Sequence, residues 1–325
     1  MAEVSATRRR ALGCVHGYLM ACLSLAAGLA RSSAAQQAQP AAPDAPPVLP
    51  NRRRFALVTS DQVRLNVLEA APAQPDDSLP TIVLVPGWCM PASIWQAQLE
   101  SLGTRYRTLA LDPRGQGESD VPAGGYDADR RAGDLQELLA AQAAARTASP
   151  GAVVVGWSLG VLEALQLVYR YGSGHLAGLV LVDNSVGEPP APKPSTLLAQ
   201  LRADRDATTE RFIRAMFSRP QPPERIEQLK RSALRMPLAD AIALLSYPFA
   251  REHWRDIARK FDKPLCYCVT SRYLEQARNL QRDRPATQVE WFEGAGHALF
   301  IDEPERFNRV VTDFVASLSA SAAPA

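Results

Sequence analysis

The chain alternates between short apolar runs and amphipathic segments. The runs at residues 81–85, 152–155 and 176–182 consist mainly of valine, leucine, isoleucine and alanine. They are too short for core helices, and they predict strands buried on both faces of a sheet. Residues 91–102 and 127–143 carry apolar side chains at helical spacing. This alternation predicts an α/β fold in which helices cover a parallel sheet.

Five further strands are predicted from short apolar or alternating runs. They are residues 55–60, 63–69, 106–111, 264–270 and 287–292. The first two are separated by a turn and predict an antiparallel hairpin at the start of the sheet. Residues 303–318 predict a closing amphipathic helix.

The alternation stops after the strand at residues 176–182. Several prolines follow, and residues 195–260 are helical, amphipathic and rich in arginine, without a strand pattern. We therefore predict a core made of residues 51–186 and 262–320. A helical insertion, residues 187–261, interrupts this core.

The strand at residues 152–155 runs directly into a G-x-S-x-G motif at residues 156–160, and a helical segment follows. A strand that turns sharply into a helix strains the residue at the turn, so the flanking positions need glycine. Strand, glycine-bracketed serine and helix together indicate a nucleophile elbow, although a helix-capping turn would use the same residue types. We predict that Ser158 is the nucleophile and that the Leu159 amide faces the oxyanion.

Position selects one of the four histidines as the candidate base. His16 lies in the N-terminal apolar segment, His175 precedes a strand, and His253 lies in the helical insertion. His297 follows the last predicted strand in a G-A-G-H stretch, whose glycines let the loop reach the nucleophile. We predict that His297 removes the Ser158 proton.

Four ordered motifs resemble the α/β-hydrolase superfamily. They are P-G-W at residues 86–88, D-x-R-G-x-G-x-S at 112–119, G-x-S-x-G at 156–160 and G-A-G-H at 294–297. The similarity covers about residues 55–318 and is closest to the esterase and cofactor-free haloperoxidase branch with a helical cap. It implies an α/β-hydrolase fold: a mostly parallel eight-stranded sheet, helices on both faces, and a helical cap inserted after the sixth strand.

The resemblance also implies further site residues. Family members most often carry the acid after the seventh strand, where this sequence reads T-S-R-Y-L-E and has no aspartate. Asp183, after the sixth strand, occupies an alternative position. We favour it over Glu275, because Asp183 directly follows its strand whereas Glu275 begins a helix. The family's residue after the first glycine corresponds to Trp88, so the amides of Trp88 and Leu159 are the expected oxyanion hole.

These residues and the resemblance predict a serine hydrolase that cleaves a small-molecule carboxylic ester, lactone or thioester through an acyl-enzyme. A serine at position 158 excludes the relatives that need a carboxylate nucleophile. Two alternatives stay open: perhydrolase or haloperoxidase activity at the same triad, and a non-catalytic ligand-binding protein on the hydrolase scaffold. No cofactor is expected, and no metal site, because no histidine and cysteine cluster is present.

The N-terminal segment has the composition of an export signal. Arginines at residues 8–10 precede a mostly apolar stretch that ends in small residues. We predict a signal peptide, residues 1–35, an Ala/Pro-rich linker, residues 36–50, and a periplasmic or secreted protein exported by the Sec or the twin-arginine route. Without the signal, 32 basic and 33 acidic residues remain. We therefore expect no nucleic-acid partner and no stable membrane span after signal cleavage.

Overall fold

An eight-stranded sheet forms the centre of the protein. The structure is a computed structural model that describes residues 51–146, 150–193 and 195–320. The predicted signal peptide and linker lie outside the described residues. The strands are β1 (Asn51–Val58), β2 (Arg64–Ala71), β3 (Thr81–Val85), β4 (Thr108–Leu111), β5 (Ala152–Trp157), β6 (Leu176–Val182), β7 (Leu265–Val269) and β8 (Thr287–Trp291).

The order of the strands in the sheet is β1-β2-β4-β3-β5-β6-β7-β8. Strand β2 runs antiparallel to both of its neighbours, and every other neighbouring pair is parallel. The predicted mostly parallel eight-stranded sheet is therefore confirmed. Strands β3, β4, β5 and β7 are buried along their whole length, as their apolar runs predict.

Helices cover both faces of the sheet. They are α1 (Gln96–Leu102), α2 (Ala128–Ala144), α3 (Leu159–Tyr171), α4 (Leu197–Ala203), α5 (Arg205–Ala215), α6 (Pro223–Leu234), α7 (Leu238–Ala243), α8 (Arg251–Lys260), α9 (Leu274–Asp283), α10 (Leu299–Asp302) and α11 (Pro304–Ala320). Successive β3 side chains point to opposite faces. Ile82 and Leu84 pack in the cluster of α1 and α11, whereas Val83 packs in the cluster of α2 and α3. None of the described helices is long and apolar enough to cross a membrane.

The helical cap follows β6, as predicted. Helices α4 to α8 lie between β6 and β7 in the chain, and no strand interrupts them in the described part of this segment. The cap is tied to the core by polar contacts as well as by apolar packing. The Trp88 indole N–H donates to the carbonyl of Ala241 at 2.7 Å, and its ring meets Phe212 edge to face at 5.2 Å between centroids.

The first strand begins earlier than predicted. Strand β1 starts at Asn51, and the three arginines that precede Phe55 are stabilised in the strand by acidic partners beside it. Arg53 pairs with Glu69 across the hairpin at 2.6 Å, and Arg52 pairs with Glu100 at 2.7 Å. Charged side chains on an exposed edge strand also protect that edge from pairing with another chain.

Candidate active site

Ser158 stands at the sharp turn between β5 and α3. Its backbone has φ 53° and ψ −118°, a conformation that side-chain-bearing residues rarely adopt. A Cβ atom on Gly156 would lie 2.3 Å from the carbonyl oxygen of Gly160, and one on Gly160 would lie 2.7 Å from the oxygen of Val85. The turn therefore requires glycine on both sides of the serine.

The structure brings Ser158, His297 and Asp183 into one hydrogen-bonded chain. The Nδ1 atom of His297 lies 2.7 Å from Oδ2 of Asp183, and its Nε2 atom lies 2.9 Å from Oγ of Ser158. A carboxylate only accepts hydrogen bonds, so Nδ1 carries the proton and Nε2 is free to accept the serine proton. This arrangement can convert a hydroxyl into a nucleophile.

The ends of neighbouring strands place the serine and the aspartate. The Ser158 amide donates to the carbonyl of Val182 at 2.9 Å, and the Asp183 amide donates to the carbonyl of Cys268 at 2.9 Å. The backbone hydrogen bonds of the sheet therefore continue to the site residues. Asp183 is 1% exposed and has φ 48°. Its Oδ1 atom accepts from both the amide and the hydroxyl of Thr270 at 2.8 Å. Thr270 thus fixes the orientation of the carboxylate. It follows β7, the position at which members of the family most often carry the acid.

Glu275, the alternative acid, lies elsewhere. It is exposed in the first turn of α9, and no hydrogen bond joins it to His297 in the part of the chain that the structure describes. The helix begins at Leu274, which carries the Glu275 side chain into solvent rather than toward the imidazole.

Two residues that the motifs did not predict bind the histidine loop, which is the segment 292–298 between β8 and α10. Trp157, inside the G-x-S-x-G motif, donates its indole N–H to the carbonyl of His297 at 2.8 Å. The Oδ2 atom of Asp302 accepts from the Gly296 amide at 2.7 Å and from the amide of the cap residue Ser218 at 2.8 Å. The histidine loop is therefore tied to both the elbow and the cap.

The two predicted oxyanion donors belong to neighbouring segments. Leu159 is the first residue of α3, so its amide has no acceptor within the helix. Trp88 follows Gly87, where a Cβ would lie 2.9 Å from Cβ of Ser158, so glycine permits this close approach to the elbow. Both residues are buried, and neither amide donates to an acceptor among the described residues. Two free amides beside the serine suit a developing negative charge.

Cys89, next to Trp88, carries a thiol, which is a second kind of potential nucleophile near the site. It is 1% exposed, and burial raises the pKa of its thiol to about 12. The thiol is therefore protonated and inert near neutral pH. Within the described ranges, no three His, Cys, Asp or Glu side chains come together as a metal site would require.

A serine on a sharp turn in the middle of a mostly parallel sheet, hydrogen-bonded to a histidine that follows the last strand, defines an α/β-hydrolase. The model of the alpha/beta hydrolase family matches residues 82–310, and the chain belongs to this family.

Similar proteins include several esterases. The pimeloyl-acyl-carrier-protein methyl ester esterase of Vibrio cholerae is 30% identical over 249 residues, which cover 72% of this chain and 93% of that protein. A presumed aryl esterase from Burkholderia cenocepacia has 25% identity and a TM-score of 0.71, and the match covers 82% of this chain and 100% of that one. A bromoperoxidase from Bacillus anthracis shares the fold, with 18% identity, a TM-score of 0.68 and the same two coverages.

Proposed function

We propose that Ser158, His297 and Asp183 are the catalytic triad of this carboxylic-ester hydrolase. The enzyme class follows from the family and from the esterases among its relatives. The observation that supports the triad is the hydrogen-bond chain from Asp183 through His297 to Ser158, with 2.7 and 2.9 Å between its atoms.

The geometry supports a double-displacement mechanism. His297 Nε2 takes the hydroxyl proton as Ser158 Oγ attacks the ester carbonyl carbon, and Asp183 stabilises the imidazolium. The tetrahedral intermediate collapses when the alkoxide leaves with the proton from His297, and an acyl-enzyme remains. Water then gives a proton to His297 and attacks the acyl carbon. The second tetrahedral intermediate releases the acid as His297 returns the proton to Oγ of Ser158.

The oxyanion of the tetrahedral intermediate would be bound by the amides of Trp88 and Leu159. Each such donor contributes about 3 kcal/mol to the stabilisation of the transition state in serine hydrolases. Both residues are buried, and hydrogen bonds to a charge are stronger in surroundings of low dielectric constant.

We propose an acyl ester with a small alcohol as the substrate class. The relatives named above include a methyl ester esterase. The cap residues Met216 and Phe217 cross the histidine loop, where a Cβ on Gly296 would lie within 2.8 Å of their backbone atoms. The buried cap side chains Met216 and Leu244 pack in one apolar cluster with Trp88 and Leu159. Apolar side chains beside the site favour an apolar acyl chain.

The test is hydrolysis of p-nitrophenyl and methyl esters of increasing acyl length, together with labelling by a fluorophosphonate. We expect wild-type protein to be labelled, and Ser158→Ala to lose labelling and at least about 10⁴-fold of kcat. A folded wild-type protein that is neither labelled nor active would favour the non-catalytic binding protein. Adding hydrogen peroxide and bromide to the assay measures the perhydrolase alternative directly.

We also propose that residues 1–35 direct export. The three arginines followed by an apolar stretch and small residues support this role. Fractionation should recover the enzyme outside the cytoplasm, with its N-terminus near residue 36. Replacing Arg8 and Arg9 by lysine should block export only on the twin-arginine route, and a full-length cytoplasmic protein would contradict export altogether.

A further inference from the structure

We infer that Gln116 is a positioning residue for the oxyanion hole, because its side-chain amide holds the peptide that carries the Trp88 N–H. The inference rests on the proposed function. Gln116 follows β4 and is completely buried. Its Nε2 atom donates to the carbonyl of Gly87 at 3.1 Å and to that of Met90 at 2.8 Å. Both carbonyls belong to the turn that follows β3.

The first of these hydrogen bonds sets the direction of the oxyanion donor. The carbonyl of Gly87 and the N–H of Trp88 belong to the same peptide group. In a planar trans peptide the two groups point in opposite directions. The one cis bond among the described residues joins Pro189 and Pro190, so the peptide before Trp88 is trans. Fixing the Gly87 oxygen therefore fixes the Trp88 N–H.

The turn needs such support because its own geometry is strained. The Met90 amide closes the turn on the Gly87 carbonyl at 3.2 Å. Between them Cys89 has φ 55°, which costs energy for any residue except glycine. Gln116 binds the carbonyls at both ends of the turn, so it opposes relaxation toward a less strained backbone that would turn the Trp88 amide away.

The orientation of Gln116 is itself determined by a buried ion pair. Its Oε1 atom accepts from both terminal nitrogens of Arg131, at 3.1 and 3.0 Å. A guanidinium only donates, so the oxygen of Gln116 must face Arg131 and its NH₂ group must face the turn. Arg131 lies on α2 and pairs with Glu163 on α3 at 2.7 Å, and both are about 2% exposed. The contact with Glu163 fixes the Arg131 side chain between α2 and α3, which both pack on the sheet.

The experiment replaces Gln116 by glutamate and, separately, by methionine. Gln116→Glu keeps oxygen atoms that accept from Arg131 but loses the NH₂ group that donates to the turn. Gln116→Met keeps the length of the side chain but loses both the acceptor and the donor. We expect kcat on a p-nitrophenyl ester to fall about 10- to 100-fold in both, less than the loss of a whole oxyanion donor, with KM almost unchanged. A boronic acid forms a tetrahedral adduct with the nucleophile, so its inhibition constant should rise by a similar factor. Binding of a non-hydrolysable ether analogue should not change.

Gln98→Met is the matched control. Gln98 is also completely buried, and its Nε2 atom donates to the carbonyl of Phe300 at 2.9 Å. This variant should lose a comparable amount of stability while its kcat and boronic acid affinity stay near the wild-type values. An unchanged kcat in Gln116→Glu, or equal losses for the ether analogue and the boronic acid, would overturn the positioning role. Fluorophosphonate labelling of the wild type separates the two proposals, because an unlabelled wild type contradicts the triad itself.

Discussion

The carboxylate of Asp183 determines which nitrogen of His297 carries the proton. One of its oxygens accepts from Thr270 twice and the other faces His297 Nδ1, so both oxygens are engaged. An amide in place of the carboxylate could present its NH₂ group to Nδ1. That contact would stabilise the tautomer whose proton sits on Nε2, and this tautomer cannot accept the serine proton.

We therefore expect Asp183→Asn to lower kcat about 10⁴-fold at neutral pH with little change in KM. Glu275→Gln is the control, because Glu275 is exposed and lies outside the hydrogen-bond chain. Steady-state kinetics on a p-nitrophenyl ester measure both variants. A large loss in Glu275→Gln with an active Asp183→Asn would show that the acid has been assigned to the wrong residue.

The serine and the histidine could be predicted from local sequence, because each sits in a short motif whose glycines have a steric purpose. Asp183 was one of two candidates, since its selection depends on Thr270 occupying the end of the neighbouring strand. Trp157 and Asp302 were not predicted. Trp157 contacts the backbone of His297, far along the chain, and Asp302 joins the nearby Gly296 to the distant cap residue Ser218. Neither has a local pattern that distinguishes it from an ordinary core tryptophan or helix-end aspartate.

The elbow between β5 and α3 depends on the close approach of backbone atoms at its two glycines. Gly160→Ala would place a methyl group 2.7 Å from the Val85 oxygen and 3.0 Å from that of Pro86. Neither oxygen can move without disturbing β3, so we expect a loss of stability on the order of 3 kcal/mol and a loss of fluorophosphonate labelling. Gly174→Ala is the control, because a Cβ added there would meet no atom within 4 Å beyond its chain neighbours. Equal urea midpoints for the two variants would contradict this account of the elbow.

The histidine loop and the cap share Asp302 as a common acceptor. Asp302→Ala removes hydrogen bonds to Gly296 and Ser218, each worth about 1.5–3 kcal/mol when the acceptor is charged. We expect it to destabilise the protein and to lower kcat about tenfold, because the backbone next to His297 loses its anchor. Asp302→Asn keeps an acceptor oxygen and should retain most of the activity. Urea unfolding and ester kinetics on both variants test this prediction. Equal losses of stability and of kcat in the two variants would show that the acceptor oxygen of Asp302 does not hold the loop.

At the scale of the whole molecule, apolar periodicity was sufficient to predict the sheet, but the buried polar contacts between helices were not predictable. Each apolar run predicts a strand from local sequence alone, whereas nothing in the local sequence distinguishes Arg131 and Glu163 from other charged residues on the helices α2 and α3. Their pairing depends on how these helices pack on the sheet. Both lie almost completely out of water, and Tyr247 of the cap packs against the apolar cluster to which α2 and α3 contribute. A buried ion pair thus lies where these two core helices meet the cap.

This pair makes the stability of the protein depend on pH. Burial raises the pKa of Glu163 to about 7, although the neighbouring Arg131 lowers it; Asp134 acts in the same direction as burial. The folded chain therefore binds this proton more tightly than the unfolded chain, and the associated stability is fully present below the ordinary glutamate pKa and is lost as the pH rises through 7. Between pH 5 and 8 we expect wild-type protein to lose about 2 kcal/mol of unfolding free energy that Glu163→Gln does not lose. Urea titrations at both pH values measure this difference, and parallel pH dependences in the two proteins would show that Glu163 is ionised throughout this range.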